Sequence, residues 1–185
     1  SPLTVWCPGD LLPALPRFPD DGEYALVLTD RKLTDLEPVA RLGNLTWLDL
    51  SYCFALADLK PLSKLLRLTA LSMWRCRLVS DLSPLAALPG LKSLDLQECT
   101  ALSALSPLGR VASLAHLDLE GCSQVTDLSP LAALDGFVPG ADGVPVRALG
   151  PALAVHVLPG NVPLAWLPTV LACLVMRTPC LLKPS

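Results

Sequence analysis

The stretch from Leu91 to Val111 reads LKSLDLQECTALSALSPLGRV, and its pattern LxxLxLxxCxxLxxLxPLxxL recurs through the middle of the chain. Pro38, Pro61, Pro84, Pro107 and Pro130 follow one another at a constant step. Cys53, Cys76, Cys99 and Cys122 keep the same step, as do Leu45, Leu68, Leu91 and Leu114. Three residue types locked in one register mark an internal repeat, and a period of this length marks a solenoid. A solenoid presents an extended surface to a partner rather than a deep pocket to a substrate.

Each part of the unit has a physical reading. The LxL core is a short strand with alternate residues inward. The inward pairs are Leu48 and Leu50, Leu71 and Met73, Leu94 and Leu96, Leu117 and Leu119. Successive copies stack as parallel strands about 4.8 Å apart. Proline on the return path forbids a regular helix interior or a central strand there, so the back is expected to be irregular or 3₁₀-like. Leu59, Leu82, Leu105 and Leu128 fill the core from that side, with Leu62, Leu85, Leu108 and Leu131.

The same step, counted backwards, predicts a partial first copy. It puts Ala25 and Val27 at the inward pair, Asp30 in the cysteine slot, and Tyr24, Leu26 and Leu28 outward. Residues 1–23 are proline-rich and unperiodic, which predicts a lead or cap built as a loop or loose cover. The repeats run over 24–135. A further strand would need apolar residues where Gly140 and Asp142 stand, and its cysteine slot holds Pro145, so 136–150 reads as a linker. Residues 151–185 read as a separate partial unit.

The repeat resembles the leucine-rich repeats of the internalin type and the phosphatase-regulator type over about 24–135, with Cys where many members carry Asn. The resemblance implies an α/β leucine-rich solenoid, with parallel strands on a concave face and a protein partner bound there.

The tail, LGPALAVHVLPGNVPLAWLPTVLACLVMRTPCLLKPS from Leu149, reads as strand, turn, helix and strand. Ala152 to Leu158 is the first strand, Leu167 to Met176 a buried helix, and Cys180 to Leu182 a second strand, giving one βαβ crossover. HVLPGNVP followed by LLKPS is similar to the start of the luminescence-type acyl-CoA reductases, a branch of the aldehyde dehydrogenase superfamily. That resemblance implies Asn161 as an oxyanion donor and Lys183, with Ser185 beside it, as holders of NADP. It gives the alternative to a binding module: a truncated or fused reductase converting fatty acyl-CoA to aldehyde with NADPH. The family's nucleophilic cysteine has no counterpart, so the chain as it stands is expected to be inactive, with no cofactor of its own. Asn161 also reads as ordinary turn chemistry, and Lys183 as a solvated charge.

Composition narrows the partners. Net charge is −3, with 17% charged residues and no basic cluster, which argues against nucleic acid. Val162 to Met176 carries no charge, yet it falls short of the roughly 20 residues that a membrane span needs. It also holds Pro163 and Pro168, so a buried helix fits better. No charged segment followed by an apolar run opens the chain, so no signal peptide is expected. The seven cysteines form no CxxC pair. Free, buried thiols are expected, which suits a reducing, cytoplasmic setting.

The outward strand positions define the candidate partner face. One column holds Trp47, Ala70, Ser93 and His116. The next holds Asp49, Ser72, Asp95 and Asp118, and a third Ser51, Trp74, Gln97 and Glu120. Tyr52, Arg75, Glu98 and Gly121 lie just beyond. Two zones result: an aromatic one at Tyr24, Trp47, Tyr52 and Trp74 with Arg75, and an acidic one at Asp95, Glu98, Asp118 and Glu120. Exposed aromatics beside arginine are the composition of an interaction surface. Two alternatives stay open: residues 1–23 fold over the aromatic zone, and the acidic zone is simply solvated.

Overall fold

The computed structural model describes residues 3–14, 18 and 22–134, with strand segments at Phe137–Pro139, Pro145–Arg147 and Ala154–His156. Strands β1 (Leu3–Trp6), β2 (Tyr24–Val27), β3 (Leu45–Asp49), β4 (Ala70–Ser72), β5 (Ser93–Asp95) and β6 (His116–Asp118) follow one another in order and pair in parallel. β7 (Phe137–Pro139) and β8 (Pro145–Arg147) form an antiparallel pair, and β9 (Ala154–His156) joins the parallel sheet beside β6. The chain is an α/β leucine-rich-repeat solenoid.

The repeat dictates this stack rung by rung. Leu48, Leu71, Leu94 and Leu117 are register partners, and each is at most 2% exposed. Leu50, Met73, Leu96 and Leu119 are buried beside them. The return path carries 3₁₀ turns at Val39–Arg41, Lys60–Lys64, Ser83–Ala87, Ser106–Arg110 and Ser129–Ala133, as the prolines require. Proline occupies an early position in the last four, where its missing N–H costs nothing.

An aspartate organises most of these turns. Asp35, Asp58, Asp81 and Asp127 each accept the backbone N–H two residues on, at 2.8–2.9 Å. The Asp81 and Asp127 carboxyls are held below the usual range, chiefly by hydrogen bonds from Ser83 and Ser129 respectively. The copy at Ala104 lacks the carboxylate. Ala104→Asp is therefore expected to raise stability by about 0.5–2 kcal/mol, in the range of a gained cap. A urea midpoint no higher than wild type would rule this out.

The cysteines form a second ladder. Cys53, Cys76, Cys99 and Cys122 are fully buried, and each thiol donates to a carbonyl of the preceding rung. The acceptors are Leu28, Leu50, Met73 and Leu96, at 3.0–3.2 Å. The five described cysteines, Cys7 included, are all free. Cys173 and Cys180 lie outside the described residues.

The first copy departs from the expected register. Tyr24 pairs with Leu45, a bulge follows, and Leu26 pairs with Leu48. Leu26 and Leu28, not Ala25 and Val27, are thus the inward pair. The first copy is shorter at its strand than the later ones, so counting back by a fixed step lands on the wrong face, because a one-residue slip flips a strand. The step recovers at Asp30, whose carbonyl accepts the Leu33 N–H as that of Cys53 accepts the Leu56 N–H. The N-terminal segment is also more regular than a loose cover. β1 extends the sheet, a 3₁₀ segment spans Gly9–Ala14, and Leu12 is buried.

At the other end, the expected first strand of a βαβ crossover lies in the repeat sheet. Val155 pairs with Leu117, so this connection is longer than the repeat step. The β7–β8 pair occupies the intervening sequence, within the segment read as a linker. The expected helix, the second strand, and Asn161, Lys183 and Ser185 lie outside the described residues.

Candidate protein-binding face

The strand ends build the candidate face. Tyr52, Arg75, Glu98 and Gly121 all have positive φ, at 65°, 64°, 55° and 74°. The left-handed turn swings the chain from strand to cysteine loop. Glycine suits it, and other residues are held there at roughly 1–2 kcal/mol each. Gly121 answers the backbone demand directly. Three rungs instead keep a large side chain, and those side chains interact.

Tyr52 packs on Trp74 with ring centroids 4.9 Å apart, and on Phe54 at 6.0 Å. The Arg75 guanidinium lies 5.7 Å from the Tyr52 centroid and 5.2 Å from that of Trp74. It also grips Glu98 with two bonds, Nε to Oε2 at 2.8 Å and Nη2 to Oε1 at 2.9 Å. The paired hydrogen bonds from Arg75 hold the Glu98 carboxyl below its ordinary range, and the same bonds raise Arg75. Both side chains remain about one-third exposed, so the pair orients the surface more than it stabilises the fold.

Three members of the cluster escaped the column reading of the sequence. Phe54 is half-buried, with Arg31 and Arg77 each 5.4 Å from its ring centroid. Arg31, Phe54 and Arg77 are themselves one repeat step apart, the signal that could have found them.

The remaining predicted residues divide. Tyr24 is corrected: it occupies the first leucine position of its copy, is buried in the core at 8% exposure, and stacks on Phe18 at 4.6 Å. Leu26 and Leu28 are buried with it. Trp47 is half-buried between Ala25 and Ala70 in the first column, and among the described residues it makes no ring contact with the cluster. His116 is exposed on β6.

The acidic zone is more than a solvated face. Asp49, Asp95 and Asp118 accept the N–H groups of Ser51, Gln97 and Glu120 at 2.8–3.0 Å. Asp95 and Asp118 also link rungs: Ser72 Oγ donates to Asp95 at 3.0 Å, and Gln97 Nε2 to Asp118 at 3.1 Å. The Glu120 carbonyl accepts the Glu98 N–H. Among the described residues no cluster of His, Cys, Asp or Glu is arranged to hold a metal ion, and no helix is long and apolar enough to cross a membrane.

No family model matches the chain, and no curated protein matches it. Solved structures do. An internalin from Listeria monocytogenes is similar at 27% identity and a TM-score of 0.50, over 60% of this chain and 32% of that one. Internalin C2 of the same organism is similar at 24% identity and a TM-score of 0.46, over 74% of this chain and 61% of that one. The chain thus spans about a third of the first internalin's length. Stack, register and the first likeness agree on the architecture: this is a leucine-rich-repeat solenoid.

Proposed function

We propose that the chain is a protein-binding module, and that its partner seats on the Tyr52–Trp74–Arg75 cluster. The observation that carries this reading is the column of left-handed residues. At a turn where Gly121 is sterically easier, Tyr52, Arg75 and Glu98 keep side chains that meet one another and Trp74. Strained residues with interlocked side chains belong to binding surfaces more than to scaffolds. Aromatic rings beside arginine supply large, stiff contact area. The free buried thiols support a reducing, cytoplasmic setting for the encounter. The reductase-like motif around Asn161 and Lys183 stands as a sequence resemblance, and binding at this cluster makes no use of it.

Replacing Tyr52 and Trp74 together by alanine should weaken partner capture at least about tenfold, as for truncated anchor residues. The bait is the immobilised chain, read by cross-linking and mass spectrometry, with an unfolding curve run in parallel. Equal capture by wild type and a folded double variant would overturn the assignment.

A further inference from the structure

We propose that the rim formed by Arg31, Phe54 and Arg77 docks an acidic, extended segment of the partner protein. This inference rests on the protein-binding reading and names the chemistry of the segment bound. The three residues occupy one position in consecutive rungs, just past the cysteine slot. Each guanidinium lies 5.4 Å from the Phe54 centroid, so the phenyl ring sits between two cations supplied by the rungs on either side.

A guanidinium held over an aromatic ring still carries several N–H donors that a planar acceptor can take. Both arginines are exposed, and among the described residues neither forms an ion pair within 4 Å. Arg75, by contrast, commits its edge to Glu98. The rim therefore holds two bidentate donors still open to a partner, next to the aromatic cluster. The nearby acids are already engaged: Asp30 is bonded through Oδ1 to the Lys32 N–H, and Glu98, which also feels the Arg77 charge, has both carboxylate oxygens bonded by Arg75.

Spacing favours a peptide. The two guanidinium carbons can be no more than twice 5.4 Å apart. Side chains two residues apart on an extended chain are separated by roughly 6.6 Å, so acidic residues at alternate positions can reach both cations. Charge also sets direction. Asp95, Asp118 and Glu120 line the later rungs and repel an acidic stretch, which confines it to the first three rungs. A nucleic-acid strand carries its charge continuously and would have to cross that acidic half.

The test uses the full chain and a short fluorescein-labelled peptide of alternating glutamate and serine, read by fluorescence anisotropy at low salt. Alternating lysine–serine and glutamine–serine peptides, and a single-stranded oligonucleotide, serve as comparisons. The acidic peptide should bind most tightly and lose affinity with added salt. Arg31→Gln with Arg77→Gln should weaken it at least about tenfold, whereas Arg67→Gln with Arg110→Gln, matched in charge, should not. Circular dichroism of both double variants checks that the fold is kept. Equal weakening by the two pairs, a preference for the neutral or basic peptide, or tighter binding of the oligonucleotide would overturn the proposal. So would the absence of acidic-peptide binding. If Tyr52→Ala with Trp74→Ala still abolishes capture of a protein partner in that event, the protein-binding reading survives and only the acidic specificity falls. If it does not, both fall.

Discussion

Leu94→Ala is expected to cost about 2–5 kcal/mol of stability, the range for emptying a leucine site in a close-packed core. Leu94 is 1% exposed on β5 and pairs with Leu71 on one side and Leu117 on the other. A solenoid rung touches only its neighbours, so no distant element can relax into the space. The damage should also split the transition, because two half-stacks joined by a weak rung no longer unfold as one. Lys92→Ala, exposed and one residue before the strand, should change the urea midpoint little. Equal losses from the two substitutions would mean that the repeat is out of register with the sheet.

Raising the pH should unfold the protein through its thiol ladder. An ordinary thiol loses its proton near 9.0, whereas burial pushes Cys53 and Cys122 up to about 11 and Cys76 to about 12. Burial raises Cys99 as well. Above pH 9 the unfolded chain releases these protons while the folded chain keeps them. Stability is then fully present below about 9 and is lost as pH climbs toward the folded values. Each ladder thiol contributes a slope of about 1.4 kcal/mol per pH unit across its window. Urea midpoints at pH 8, 9, 10 and 11 should fall steeply for wild type. Cys76→Ala should start less stable but fall less steeply, since it has one proton fewer to lose. Parallel slopes for the two proteins would show that Cys76 does not carry this linkage. The same raised values predict that the ladder resists alkylation in the folded chain and reacts once it is unfolded.

Much of this is legible in the amino-acid sequence. The inward pairs from Leu48 onward, the 3₁₀ return at each proline and the buried thiols follow from residue type at a fixed step. Trp74, Tyr52 and Arg75 were also legible as surface, because a position known in one rung is known in every rung. Tyr24 was misplaced for the same reason, since the rule assumes a constant step and the first copy is shorter. Phe54, Arg31 and Arg77 obey the rule but lie past the strand, where side-chain direction depends on the turn and not on strand alternation.

The sequence by itself determined the length of the rung, its core residues and its two ladders. A translational repeat leaves each rung the same neighbours, so one period describes the whole stack. Tertiary structure decided what breaks that symmetry: β1 added before the first rung, β9 joining β6 after a longer excursion, the shorter first copy that turned Leu26 and Leu28 inward, and the bulge that set Tyr24 opposite Leu45. It also decided that Arg75 binds Glu98 while Arg31 and Arg77 flank Phe54. Those choices depend on distances between side chains of adjacent rungs, which arise only when the rungs stack.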